Sequence, residues 1–189
     1  MAVLTATTSS VWGLIRRLTL ILLAVSTLGA TAPQEYQVKA VFLFNFTHFV
    51  DWPADSFESA DSPFVIGVLG QDPFGSALDD VVRGERVNGR PLVVQRYETL
   101  ADLKPCHILF IDRSVRGDVT RTLDTLASRH TLTVTDFEPG GARNSIIRFL
   151  NEDKKIRLRI NVDSAREAGL TISSKLLRPS QVVGNRGAG

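Results

Sequence analysis

Three histidines, one cysteine and a few strand-end acids are the residues of this chain best suited to chemistry, and their spacing excludes most of what such residues do. His48, His107 and His130 stand far apart, and none has a histidine or cysteine three to five residues away, so no zinc-ligand pattern or H-E-x-x-H helix is present. No serine occupies a G-x-S-x-G turn, and no glycine-rich run matches a phosphate-cradling loop. Asp112 has a more suggestive position. It closes the apolar run Cys106-His107-Ile108-Leu109-Phe110-Ile111, where open α/β sheets place ligands and receiver domains carry a phosphorylated aspartate. A receiver also needs an acidic pair after its first strand, and Leu69-Gly70-Gln71-Asp72 supplies one acid, so Asp112 is expected to cap a strand end. Asp79 and Asp80 are helix neighbours that point in different directions and form no catalytic dyad. The expectation is a protein with no catalytic set, no metal site and no cofactor.

The elements that would position these groups follow from hydrophobic period. From Gln34 to Val50 the apolar residues Val38, Val41, Phe42, Phe44, Phe46, Phe49 and Val50 recur at helical spacing, and Trp52-Pro53 closes the segment. Pro63–Leu69, Pro91–Tyr97, His107–Ile111 and Thr131–Thr135 read as strands, the most apolar of them buried on both faces. Between them, Asp72 is expected to cap a helix starting at Pro73 and ending near Val82, and Val115–Ser128 to form a second, amphipathic helix. Ser145–Leu150 and Lys155–Asn161 flank Asn151-Glu152-Asp153-Lys154 as a hairpin, whose second strand alternates basic and apolar. A short helix runs from Asn161 to Gly169, and Ser173-Ser174-Lys175-Leu176-Leu177 opens a last turn stopped near Pro179. Alternating strands and helices predict an α/β three-layer sandwich: a mainly parallel sheet, mixed by the C-terminal hairpin, with helices on both faces.

Residues 1–32 have the three parts of a secretory signal: a basic start ending in Arg16-Arg17, an apolar stretch from Leu18 to Val25, and small residues up to Ala32. The leader is expected to be cut after Ala30 or Ala32, leaving one domain at 33–178 and a flexible tail at 179–189. Its apolar stretch is too short for a permanent anchor. Beyond residue 32 the 22 basic residues of the 189-residue chain fall to 20, against 20 acidic ones. A neutral domain lacks the electrostatic footprint of nucleic-acid binding. Cys106 is the single cysteine, so no internal disulfide can form, and the thiol is expected to be buried as a small hydrophobe.

Taken in order, the segments Ala40-Val41-Phe42-Leu43-Phe44-Asn45-Phe46, Phe49-Val50 with Trp52-Pro53, Ile66-Gly67-Val68-Leu69-Gly70 with Asp72-Pro73-Phe74-Gly75, Gly89-Arg90, Cys106 to Ile111, Gly140-Gly141 with Ile147-Arg148-Phe149, Ile160-Asn161 and Ser173 to Leu177 resemble the YfiR-like periplasmic family. The resemblance spans nearly all of the chain after the leader. It implies a periplasmic repressor that is not an enzyme and that holds an inner-membrane diguanylate cyclase with a periplasmic domain inactive. It also implies an outer-membrane lipoprotein as the relieving partner. A homodimer is the expected working form. The alternative is a small-ligand sensor module without a cyclase. Candidate partner or ligand contacts are Asn45, Phe49, Trp52, Arg90, Asn161, Ser174 and Lys175. The chain departs from the pattern in its unpartnered Cys106, in the insertion Ala142–Ser145, and in Pro179 within the terminal helix.

Overall fold

Phe64–Leu69 (β2) is buried at all six positions, as expected of a strand covered on two sides. It belongs to a computed structural model that describes residues 32–115, 119–126, 129–138 and 145–184. Residues from Glu35 onward form one unit, described here. Residues 1–31 of the proposed leader (1–32), Gly140-Gly141 and most of the 142–145 insertion lie outside the described residues.

The chain enters through the helix Ala32–Phe49 (α1), passes a short strand Val50–Asp51 (β1), and reaches β2. There follow the helix Ser76–Val82 (α2), the short strand Arg86–Val87 (β3), and the strands Arg90–Tyr97 (β4) and Ile108–Ile111 (β5). Next come the helix Val119–Leu126 (α3), the strand Leu132–Thr135 (β6), and the hairpin Ile147–Glu152 (β7) and Lys155–Asn161 (β8). The helix Val162–Glu167 (α4), the strand Thr171–Ile172 (β9), the helix Ser174–Leu177 (α5) and the strand Gln181–Val183 (β10) complete it. Among the described residues the main sheet has eight strands in the order β10-β8-β7-β6-β5-β2-β4-β3. The run β4, β2, β5, β6, β7 is parallel throughout, and the β7–β8 hairpin and the β3–β4 pair make the sheet mixed. The expected α/β class is the one observed.

Alternation along the central strands sorts their side chains into two cores. Phe64, Ile66 and Val68 of β2, with Ile108 and Phe110 of β5, pack with Ala40, Leu43 and Phe46 of α1 and Leu78 of α2. Val65, Leu69, Leu109 and Ile111 point the other way and pack with Leu123 and Leu126 of α3. Each large side chain fully buried here contributes about 1.5–3 kcal/mol of burial free energy. Gly67 has no room for a side chain, since a Cβ there would lie 2.9 Å from Leu109 Cδ1 and 3.2 Å from Cys106 Sγ. Cys106 is buried as expected, and burial pushes its thiol pKa up to about 12.

Three local expectations are corrected. Helix α2 starts at Ser76 with Gly75 as its N-cap, later than Pro73. The Asp72 carboxylate instead accepts from the Phe74 N–H at 2.8 Å and from Arg96 Nε at 2.6 Å, because the strongly donating guanidinium on β4 competes for it. The hairpin turn is tighter than four residues: Asn151 and Glu152 pair with Ile156 and Lys155, leaving Asp153 and Lys154 as a two-residue loop with φ of 50° and 61°. Gln181–Val183, expected to lie in a flexible tail, instead finds the open edge of β8 and pairs parallel with Arg159–Asn161.

Candidate functional site

At the N-terminal edge of the parallel strands a column of stacked groups joins four segments. The Arg90 guanidinium lies 3.9 Å from the centroid of Phe57. Phe57 stacks on His107 at 4.4 Å, and His107 stacks on Phe64 at 4.6 Å. Trp52 meets Phe64 edge-on at 4.8 Å and donates its indole N–H to the His107 carbonyl at 3.2 Å. The tautomer of His107 follows from its partners: Nδ1 accepts from the Val65 N–H at 3.0 Å, so Nε2 carries the hydrogen and donates to the Ser56 carbonyl at 3.1 Å. Burial, with the Arg90 cation adding to it, lowers its pKa to about 4. His107 is therefore a neutral building block of the edge. Arg90 pins the loop below it by donating to the carbonyls of Ser59 at 2.6 Å and Ser62 at 3.0 Å.

The same edge gathers most of the candidate contact residues. The Phe49 carbonyl accepts from the Ser173 N–H at 2.8 Å, and β1 pairs antiparallel with β9 through Val50 with Ile172 and Asp51 with Thr171. This small sheet sets the start of α5 beside the end of α1, so Ser174 and Lys175 follow the residue bonded to Phe49, while Trp52 lies past the other end of the antiparallel pair and connects to Arg90 through the stack. Ser174 and Lys175 are exposed, whereas Phe49, Trp52 and Arg90 are half-buried. Ser173 caps α5, accepting from the Lys175 N–H at 3.3 Å. Asn45 is half-buried one turn earlier on α1. Asn161 is not part of this group: it is buried on β8, and its Oδ1 caps α4 by accepting from the Ser164 N–H at 3.0 Å.

Two constellations escaped the sequence reading. At the opposite end of the sheet, Asp136 follows β6 and accepts from Tyr36 Oη and Lys39 Nζ, each at 2.7 Å. The Lys39 and Asp136 side chains are 3% and 2% exposed. Lys39 also meets Glu35 at 2.6 Å, and Arg113 approaches Asp136 at 3.5 Å. Burial alone would raise the Asp136 pKa, but the Lys39 and Tyr36 donors outweigh it and hold the carboxyl below the usual range. Burial and the bond to Asp136 push the Tyr36 hydroxyl up. These partners are 97 and 100 residues apart, so no spacing rule reveals them. Asp112, next door, is buried and accepts from the Ser114 N–H at 2.8 Å, the strand-end cap expected of it.

The second unforeseen feature is a small cleft of about 40 Å³ on the face of β7 and β8 away from α1, lined by Glu138, Ser145, Arg148, Arg159, Asn161 and Val183. Arg148 and Arg159 stand directly opposite each other across the strand pair.

Among the described residues no group of three or more histidines, cysteines and acids is arranged to hold a metal, and no helix is long and apolar enough to cross a membrane. Residues 36–181 match the family model described as YfiR/HmsC-like. No curated protein matches the chain.

Proposed function

Because the chain belongs to the YfiR/HmsC-like family, we propose that it is a periplasmic regulatory binding protein that represses an inner-membrane diguanylate cyclase by protein–protein contact, and so controls cyclic di-GMP. The observation that carries this reading is the family match over residues 36–181, which takes in the sheet as far as the first residue of its edge strand β10 and all seven candidate contact residues. The leader at 1–32 would deliver the domain to the compartment where a cyclase's periplasmic portion is reachable. Repression by contact asks for a surface, with no reacting groups. The surface around the small β1–β9 sheet suits that role: Ser174 and Lys175 are exposed past the Ser173–Phe49 bond at one end of it, and half-buried Trp52 stands at the other end, anchored in the His107 stack. An outer-membrane lipoprotein competing for this regulator, and a homodimer as the working form, complete the proposal.

The test is intracellular cyclic di-GMP in the host with and without the gene. A rise on deletion, reversed by supplying the gene again, supports repression; an unchanged level overturns it. The cleft at Arg148 and Arg159 favours a second reading, a small-ligand sensor without a cyclase partner. Under that reading deletion leaves cyclic di-GMP unchanged while a ligand stabilises the protein.

A further inference from the structure

We propose that Arg148 and Arg159 form a binding site for a small oxyanion, a carboxylate or a phosphate group, on the open face of the β7–β8 hairpin. The inference stands apart from the cyclase reading and holds whether or not a cyclase is the partner.

The register brings the charges together. In the antiparallel pair Arg148 is the Cα partner of Arg159, so both side chains project from the same face, as do Arg157 and Lys155 further along β8. Like charges directly opposite each other repel, and a sheet ordinarily avoids the arrangement. The other face of the same strands is core, with Phe149, Leu158 and Ile160 buried. The arginines therefore cannot turn away without a register slip that would expose that core.

Their existing partners leave the pair under-compensated. Arg148 is 11% exposed and forms an ion pair with Glu138 through Nη1, but its Nε is buried with no partner. A buried guanidinium N–H without an acceptor is costly, and an oxyanion supplies one. Arg159 directs both Nε and Nη2, at 3.2 and 3.1 Å, to a single neutral oxygen, Gln181 Oε1. Of the two guanidinium groups, Arg148 is paired with a carboxylate, that of Glu138, which is 64% exposed and can be displaced outward, whereas Arg159 is held by a neutral amide.

The rest of the lining fits a compact ligand. Ser145, whose hydroxyl shares a hydrogen bond with Thr135 Oγ1 at 2.7 Å, and Asn161 give it polar walls. Val183 of the edge strand β10 gives it an apolar one. At about 40 Å³ the cleft is far smaller than a site for a drug-sized ligand and has room for little more than the oxyanion group itself.

The experiment is isothermal titration of the purified protein with inorganic phosphate and, separately, with acetate, at ionic strength held constant with sodium chloride. Saturable binding of either anion is expected, and the anion preferred names the source of the oxyanion. Arg159→Gln should weaken it tenfold or more, whereas Arg157→Gln, an equal charge loss on the same strand face, should change it less than twofold. Val183→Asp places a carboxylate in the cleft without touching either arginine and should also abolish binding. Because Val183 is 38% exposed, that variant keeps its fold, and circular dichroism checks this. No saturable binding of either anion, or equal losses in Arg157→Gln and Arg159→Gln, would overturn the proposal.

Discussion

Lys39 on the first helix donates to Asp136 at the end of β6 across 2.7 Å, in surroundings that leave both side chains almost no contact with water. Tyr36, one turn earlier, donates to the same carboxylate oxygen, so α1 is tied to the sheet at two successive turns. Removing one member of such a pair strands the other charge. Lys39→Met should destabilise the protein by about 3–5 kcal/mol in urea unfolding, and Lys39→Met with Asp136→Leu should recover most of that loss. If the single variant costs under about 1 kcal/mol, the pair is not a structural tie. The Asp136 pKa is lowered in the folded protein, so its contribution is present above the usual carboxylate range and lost as pH falls through the folded value.

His107 creates a separate pH window. Its folded pKa is lowered from 6.5 to about 4, so between those values the unfolded chain binds the extra proton. Stability should be at its plateau above pH 6.5 and fall by about 3 kcal/mol on the way to pH 4. Measured across that range by denaturant unfolding, His107→Gln should have a markedly flatter profile. An unchanged profile would show that other groups carry the acid sensitivity.

Gly67 tests the closeness of the central strands. In Gly67→Ala the new methyl group meets Leu109 at 2.9 Å, with Cys106 and the Tyr97 ring at 3.2 Å, and should cost about 1–3 kcal/mol in thermal or urea unfolding. Adding Cys106→Ala removes one of the three obstructions, so the double variant should be less destabilised than the two single losses predict.

The hairpin loop offers a gain. Asp153 and Lys154 both have positive φ, which glycine adopts freely and lysine does not. Lys154→Gly, giving the Asp-Gly pair favoured in such turns, should raise stability by about 1 kcal/mol; a loss would show that the lysine side chain makes a compensating contact.

Lys175 separates contact from stability under the repressor proposal. It is exposed on α5, so Lys175→Glu should leave the melting temperature within about 1 °C while cyclic di-GMP rises toward the deletion level. Trp52→Ala should instead lower the melting temperature, because its ring packs on Phe64 and its N–H holds the His107 carbonyl. Normal repression by Lys175→Glu would move the contact surface away from this edge.

What the amino-acid order determined by itself is whatever neighbours in the chain decide. The two-sided burial of β2 and β5, the helical period of α1, the Asn161 and Ser173 caps and the α/β alternation all rest on contacts within a few residues, and the ordered motifs sufficed for the family. Folding in three dimensions decided the rest. The stack joining Arg90, Phe57, His107, Phe64 and Trp52 needs four separate segments brought to one edge. The Lys39–Asp136 pair spans 97 residues, and β10 found an edge that exists only once β8 is in place. Arg148 faces Arg159 because of hairpin register, which was within reach of the sequence had the turn been read as two residues instead of four. Local period is written in each segment, but which charges and rings meet depends on register and packing, which are properties of the folded sheet.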